Sequence, residues 1–204
     1  MSQGPLRFFY IAMTSCILVI DGENFLHKVE EVLKKRGIEK DKVDLASISL
    51  NKLFKEPLKG FKISRKIFYA ARLHVHRETK RKSGELIRLQ RKLSNNLIKQ
   101  GYEFVIAGNV RAQKVNNKIV FREKGVDVKI AVDLVSLASE GRIVTAILCS
   151  SDSDLQPAVK ELQNRRVQVV YLGFETNPNK GLSYTSNRII LLRNSKVIEA
   201  VNKA

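Results

Sequence analysis

Two short stretches carry side chains whose types and spacing could do chemistry. In LCSSDSDLQP, Leu148 to Pro157, Asp152 and Asp154 stand one residue apart directly after an apolar run, among Ser150, Ser151 and Ser153. In ILVIDGENF, residues 17–25, Asp21 likewise ends an apolar run, and Asn24 follows three residues on. A Ser or Asp in such a place can cap a helix by accepting hydrogen bonds from the free N–H groups of its first turn. One residue suffices for a cap, and the first stretch offers several.

A third acid emerges from helical phase. At about 100° per residue from Val126, Lys129, Asp133, Ser136 and Glu140 fall on one side, Ile130, Ala131, Leu134, Val135 and Ala138 line the other, and Asp127 lies amid the apolar arc. A carboxylate on a buried face is costly unless it is paired, protonated or bound to a cation. Structural roles exist for each acid: Asp21 can open the turn DGEN, Asp127 can complement the positive end of its helix, and Asp154, more than Asp152, has the position of a plain cap. Asp133, one turn after Lys129, is expected to form a surface ion pair. Three acids converging on one place favour function over caps. Carboxylates clustered without His or Cys suit a hard cation, Mg²⁺ or Mn²⁺. One or two such ions can hold a phosphodiester, activate water and neutralise a leaving oxygen.

The elements that must position these acids are legible as alternating patterns. Apolar runs at Cys16–Ile20, Ile67–Ala71, Phe104–Ala107, Val144–Cys149 and Val167–Leu172 predict five strands. Helices are predicted over Phe25–Arg36, Glu85–Gln100, Val126–Glu140 and Leu155–Arg165, the first three each stopped by glycine. Strand and helix in alternation imply a three-layer α/β/α fold with a mainly parallel five-stranded sheet. A hairpin is predicted for Asn109–Gln113 with Lys118–Arg122 around Asn116 and Asn117. Residues 14–175 are expected to form the domain, with 1–13 an extension and 176–204 a tail containing a short element at Arg188–Leu192. In such sheets ligands bind beyond the carboxyl ends of the strands, which is where Asp21, Asp152 and Asp154 fall.

Composition points to the partner. Lys and Arg outnumber Asp and Glu by 37 to 20, a net charge of +17 and a pI near 10.0, which favours a polyanion. Between Arg72 and Lys99 nine Lys or Arg residues face only Glu78 and Glu85. Arg72, Arg77, Lys80, Arg81, Lys82 and Arg88 are therefore expected to line a phosphate track into the site, with Lys124 and the hairpin cations opposite. Tyr69, Tyr102 and Phe121 are expected in the core rather than stacked on bases, and His74 and His76 as phosphate contacts rather than catalysts. Cys16 and Cys149 each sit inside an apolar run and read as buried thiols of a reducing, cytoplasmic compartment. The apolar stretch Leu6–Ile20 is too short and interrupted to span a bilayer, and translation from Met13 is the simpler expectation for what precedes the first strand. No phosphate-loop or dinucleotide fingerprint is present. Oligomeric state, a dimer included, is left open by the sequence.

The motifs ILVIDGENF at 17–25, EKGVDVKIAVDLVSLA at 123–138 and LCSSDSDLQPAVKELQNRRVQVVYLG at 148–173, in that order, resemble the LabA-like NYN domains of the PIN-like nuclease superfamily. The resemblance covers roughly Thr14 to Leu172. It implies a PIN-like sheet with its first and fourth predicted strands adjacent, and a metal-dependent ribonuclease using Mg²⁺ or Mn²⁺. It also implies Asp21, Asp127 and Asp152 as metal-binding acids, Asp154 as an outer acid or cap, and Asn24 as a polar group for bound water or the scissile phosphate. Ser153-Asp154-Leu155 stands where many relatives carry Gly-Asp-Phe, which keeps the acid. Two other functions compete. One is an RNA-binding or RNA-tethering module that does not cut, in which the acids are only caps. The other, remoter one is a phosphatase with Asp21 as nucleophile, which would want a second acid at position 23 followed by Thr and finds Glu23 without it.

Overall fold

The computed structural model describes residues 15–39, 43–75, 79–115 and 118–201. The extension 1–13 with Met13, the cations and histidine at Arg77 and His76, and the turn Asn116-Asn117 lie outside the described residues.

Strands β1 (Cys16–Asp21), β2 (Ile63–Arg72), β3 (Glu103–Val115), β4 (Lys118–Lys124), β5 (Thr145–Cys149), β6 (Gln168–Phe174) and β7 (Arg188–Leu192) form one sheet in the order β4-β3-β2-β1-β5-β6-β7. Only the β3–β4 pairing is antiparallel. The helices are α1 (Gly22–Lys35), α2 (Leu50–Phe54), α3 (Lys80–Lys99), α4 (Val126–Ser139), α5 (Gln156–Asn164), α6 (Lys180–Thr185) and α7 (Asn194–Val201). The fold is therefore α/β with helices on both faces of a mostly parallel sheet, as the alternation predicted. The sheet has seven strands, not five. The two additions are its edges: β4 is the second arm of the predicted hairpin, and β7 is the short element at Arg188–Leu192, which pairs in parallel with β6. As edge strands they are half solvated: β4 ends in charged residues, and β7, though apolar from Ile189 to Leu192, leaves Ile189 and Leu191 exposed.

β1 is buried along its whole length because it has a neighbour on each side and a layer on each face. Its side chains alternate between two cores. Leu18 and Ile20 join Phe25 and Val29 of α1, Leu93 and Leu97 of α3 and Val197 of α7. Ile17 and Val19 join Ile130 and Leu134 of α4, Val159 of α5 and Leu182 of α6. Tyr69 and Tyr102 are buried in these cores, as expected.

The chain runs outward from β1 through β2 and β3 to one edge, then restarts at β5 on the other side and runs to the opposite edge. The order thus reverses between β1 and β5, which are adjacent and parallel with Ile20 opposite Cys149. That is the crevice where doubly wound sheets place their ligands.

Candidate functional site

Asp21 is the last residue of β1 and continues the Ile17–Val19 parity, so its carboxylate points toward the α4 face. It is 2% exposed. One oxygen accepts the Asn24 backbone N–H at 3.2 Å, and the other accepts Asn24 Nδ2–H at 2.7 Å and the Ser150 hydroxyl at 3.1 Å. Asp21 is thereby the N-cap of α1 as well as a carboxylate in the crevice. Its next residue has to be glycine: a Cβ on Gly22 would lie 2.3 Å from Phe68 Cε1 and 2.5 Å from the Tyr69 carbonyl, because α1 begins hard against β2.

From the neighbouring strand, Ser150 donates to Asp21 and accepts the Asp152 backbone N–H at 3.1 Å, which ties the second acid to the first. Asp152 caps a single 3-10 turn by accepting the Asp154 N–H at 2.9 Å. The cap is thus Asp152, not Asp154 as the sequence suggested. Two residues of extended chain after β5 put Asp152 at the turn's start, and Asp154, exposed, is already inside it. Ser151 donates to Asn24 Oδ1 at 2.7 Å, so Asn24 links both strand ends through its carboxamide.

Asp127 arrives from a third element. The hairpin returns from β4 into α4 through Gly125 at φ +94°, packed against Gly108 at φ +64°. A Cβ on Gly108 would fall 2.3 Å from the Lys124 carbonyl. This close crossing sets the first turn of α4, where Val126 is buried and Asp127 half-exposed. Asp127 makes no hydrogen bond or ion pair with the described residues, so it is neither a cap nor a salt-bridge partner there.

Glu123, which the sequence reading did not single out, belongs to the same neighbourhood. Its carboxylate accepts the Val126 N–H at 2.9 Å. Burial pushes its carboxyl above the usual range, against that hydrogen bond, and the nearby Glu23, Asp21 and Asp127 push the same way. Asp21 is raised too, first by burial and further by Asp152, with the bonds from Asn24 and Ser150 opposing. The geometry links these acids in two pairs, Asp21 to Asp152 through Ser150 and Glu123 to the first turn of the helix that carries Asp127. The missed signal was available in part: Glu123 lies four residues before Asp127, across the glycine that turns strand into helix. Among the described residues, no three His, Cys, Asp or Glu side chains stand close enough to form a preformed metal cage. The donor set itself is all oxygen and anionic, which suits a hard cation.

The predicted track divides. Arg72 is exposed at the carboxyl end of β2, paired in register with Asn109 of β3, and Lys80, Arg81 and Lys82 open α3 on that same edge. Arg88 is about two turns further along, roughly 12 Å away from the edge by helical rise. Arg72, Lys80, Arg88 and Lys124 form no ion pair with the described residues, whereas Arg81 meets Glu85 at 3.2 Å. Lys82 sits over the Phe121 ring at 5.7 Å, joining α3 to the hairpin, so Phe121 holds a cation rather than core. His74 approaches Asn109 at 3.4 Å, and His27 pairs with Glu23 when protonated. Asp133 takes the expected Lys129 partner, and also the Tyr69 hydroxyl at 2.8 Å.

The NYN domain family model matches residues 16–192. A crystal structure of a protein of unknown function from Vibrio parahaemolyticus superimposes with a TM-score of 0.53 at 15% identity, covering 88% of this chain and 93% of that one, a likeness of fold. No curated protein matches the chain. No helix among the described residues is long and apolar enough to cross a membrane.

Proposed function

This chain belongs to the NYN domain family, whose fold is nuclease-like, and from that premise we propose that it is a metal-dependent ribonuclease hydrolysing RNA phosphodiester bonds. What supports the reading is that Asp21, at the end of β1, is tied through Ser150 to Asp152, just beyond the end of β5, at the crevice where strand order reverses, with Glu123 of β4 and Asp127 of α4 adding negative charge to the same neighbourhood. Burial and neighbouring acids hold the Asp21 and Glu123 carboxyls above their usual range, a cost that a divalent cation would relieve. Asp21, Asp127 and Asp152 would hold it, with Glu123 beside them. The chemistry that Mg²⁺ or Mn²⁺ would supply when held there is Lewis-acid activation of the phosphate and of the attacking water.

The chain's own groups do the rest. Asn24 and Ser150 orient the Asp21 carboxylate by three hydrogen bonds. Asp154, exposed and with no hydrogen bond on its carboxylate among the described residues, is free to take a proton or hold solvent at the rim. Arg72, Lys80 and Lys124, without ion-pair partners among the described residues, and the neighbouring Lys82 would attract the RNA backbone to the same edge.

A specific observation favours a second reading: Asp21 and Asp152 are both satisfied as caps, as they would be in an RNA-binding module that does not cut. One experiment separates the two. Labelled single-stranded RNA is incubated with Mn²⁺, then with chelator, using wild type and the variants Asp21→Asn and Asp152→Asn. Cleavage is expected only with wild type and metal, falling by at least about 100-fold in either variant, while RNA affinity holds or rises because negative charge near phosphate is gone. Binding without cutting under any divalent ion establishes the module. Equal cutting by both variants removes these carboxylates from the chemistry.

A further inference from the structure

Asn179 lies in the connection between β6 and α6, and its oxygen accepts the Leu182 N–H at 2.8 Å, capping α6. A cap asks for an acceptor only, and Ser, Thr or Asp would serve as well. Asn adds a donor, and here that donor leaves the helix: Nδ2–H reaches the Ser151 carbonyl at 2.9 Å, at the carboxyl end of β5. The backbone N–H of Asn179 is fixed in turn by the Tyr171 hydroxyl at 2.9 Å.

The same connection is gripped from α1. Lys28 Nζ donates to the Asn177 carbonyl at 3.0 Å and to Glu31 at 2.9 Å, and the Asn177 side chain also donates to Glu31. Asn177 is held at φ +47°, a left-handed conformation that Asn tolerates better than most residues. Buried Thr176 anchors the start of the connection on Asn194 at 3.0 Å. One turn before Lys28 on the same helix, Asn24 receives the Ser151 hydroxyl and donates to Asp21. The contacts therefore close a ring, from Asn24 to Ser151 to Asn179, back through Asn177 to Lys28, and along α1 to Asn24. Ser151 is held from both sides, by its side chain on α1 and by its carbonyl on Asn179. Asp152 follows it directly.

We infer that Asn179 is a positioning residue for the acidic crevice, its carboxamide fixing the Ser151 peptide and so the placement of Asp152 relative to Asp21. Its role is to lower the cost of bringing the two carboxylates around a cation. The inference rests on reading the carboxylates as a cation site.

The informative variant is Asn179→Ser, which keeps a capping oxygen for α6 but is too short to reach Ser151; Asn179→Ala, which loses both bonds, serves for comparison. Free Mn²⁺ is followed by electron paramagnetic resonance during titration of the full chain, and amide hydrogen exchange is measured without metal. For Asn179→Ser, Mn²⁺ affinity is expected to fall about tenfold. Exchange at Ser150–Asp154 should quicken while exchange in α6 stays at the wild-type rate. Mn²⁺ affinity within twofold of wild type overturns the inference, and so does unchanged exchange at Ser151 and Asp152. A wild type that binds no Mn²⁺ sinks the cation reading instead, and the exchange arm then decides by itself whether Asn179 clamps Ser151.

Discussion

Single carboxylates in this protein do two jobs at once, and the balance shows in their protonation. Asp21 and Glu123 are held above their ordinary values of 3.8 and 4.5, chiefly by burial. In the fold they keep protons that the unfolded chain has released, so each lowers the stability of the metal-free protein as pH rises from those values through the raised ones. Glu31 and Glu103 act in the opposite sense, through Lys28 and Arg65 respectively, but their window lies below 4.5. Glu123→Gln is therefore expected to flatten the decline in stability above pH 4.5, and to weaken Mn²⁺ binding by about 10-fold or more. Urea unfolding from pH 4 to 7, variant against wild type, checks the first part. A variant whose stability falls with pH as steeply as wild type would show that Glu123 does not carry the strain.

Between elements, close approach matters more than propensity. Gly22 lets α1 start against Phe68 and the Tyr69 carbonyl, and Gly22→Ala is expected to cost about 1–3 kcal/mol by overpacking, read as a lower denaturation midpoint with unchanged slope. Because Asp21 immediately precedes it, Mn²⁺ affinity should fall with stability in that variant. The basic edge is likewise built by two elements, α3 and the β3–β4 hairpin, joined where Lys82 covers Phe121. Lys80→Ala with Lys82→Ala is expected to weaken single-stranded RNA binding and to reduce the slope of log affinity against log salt by about 0.7 per lost phosphate contact. Arg88→Ala should change the slope less, since it lies further from the edge. Equal effects from all three would place the RNA along the whole outer face of α3.

For the molecule as a whole, a net charge of +17 surrounds a crevice of like negative charges. Long-range attraction brings a polyanion in, and the acids would then repel its phosphates unless neutralised. On the proposed function, metal and nucleic acid would thus be coupled through electrostatics. Mn²⁺ at 100 times its dissociation constant is expected to stabilise the fold by about 2.7 kcal/mol, seen as a rise in melting temperature that chelator reverses and that Asp21→Asn abolishes. A melting temperature indifferent to Mn²⁺ would exclude tight binding to the folded state.

How much of this was written in the sequence follows from the range of each interaction. Periodicity is local, so the buried strands β1, β5 and β6, the long helices and the layered class were readable, and so were Asp21 and Asp152, which mark strand ends wherever those strands go. Helical phase singled out Asp127 as an acid amid an apolar arc, yet in the first turn of α4 it is half-exposed rather than buried, whereas the one-turn spacing from Lys129 correctly gave Asp133 its partner. What needed the tertiary structure is whatever depends on distant chain meeting in space. β4 was legible as a hairpin arm and β7 as a short element, but that they form the two edges of the sheet depends on the neighbours that supply their hydrogen bonds. Glu123 lies near Asp127 because Gly108 and Gly125 pack together at the base of the hairpin. Asp152 rather than Asp154 is the cap because the chain stays extended for two residues after β5, with the Asp152 N–H held by Ser150. Asn179 carries no local sign of a role beyond its helix, since the carbonyl it holds lies 28 residues away. Sequence spacing fixes which side chains share a face, whereas packing alone decides which faces meet.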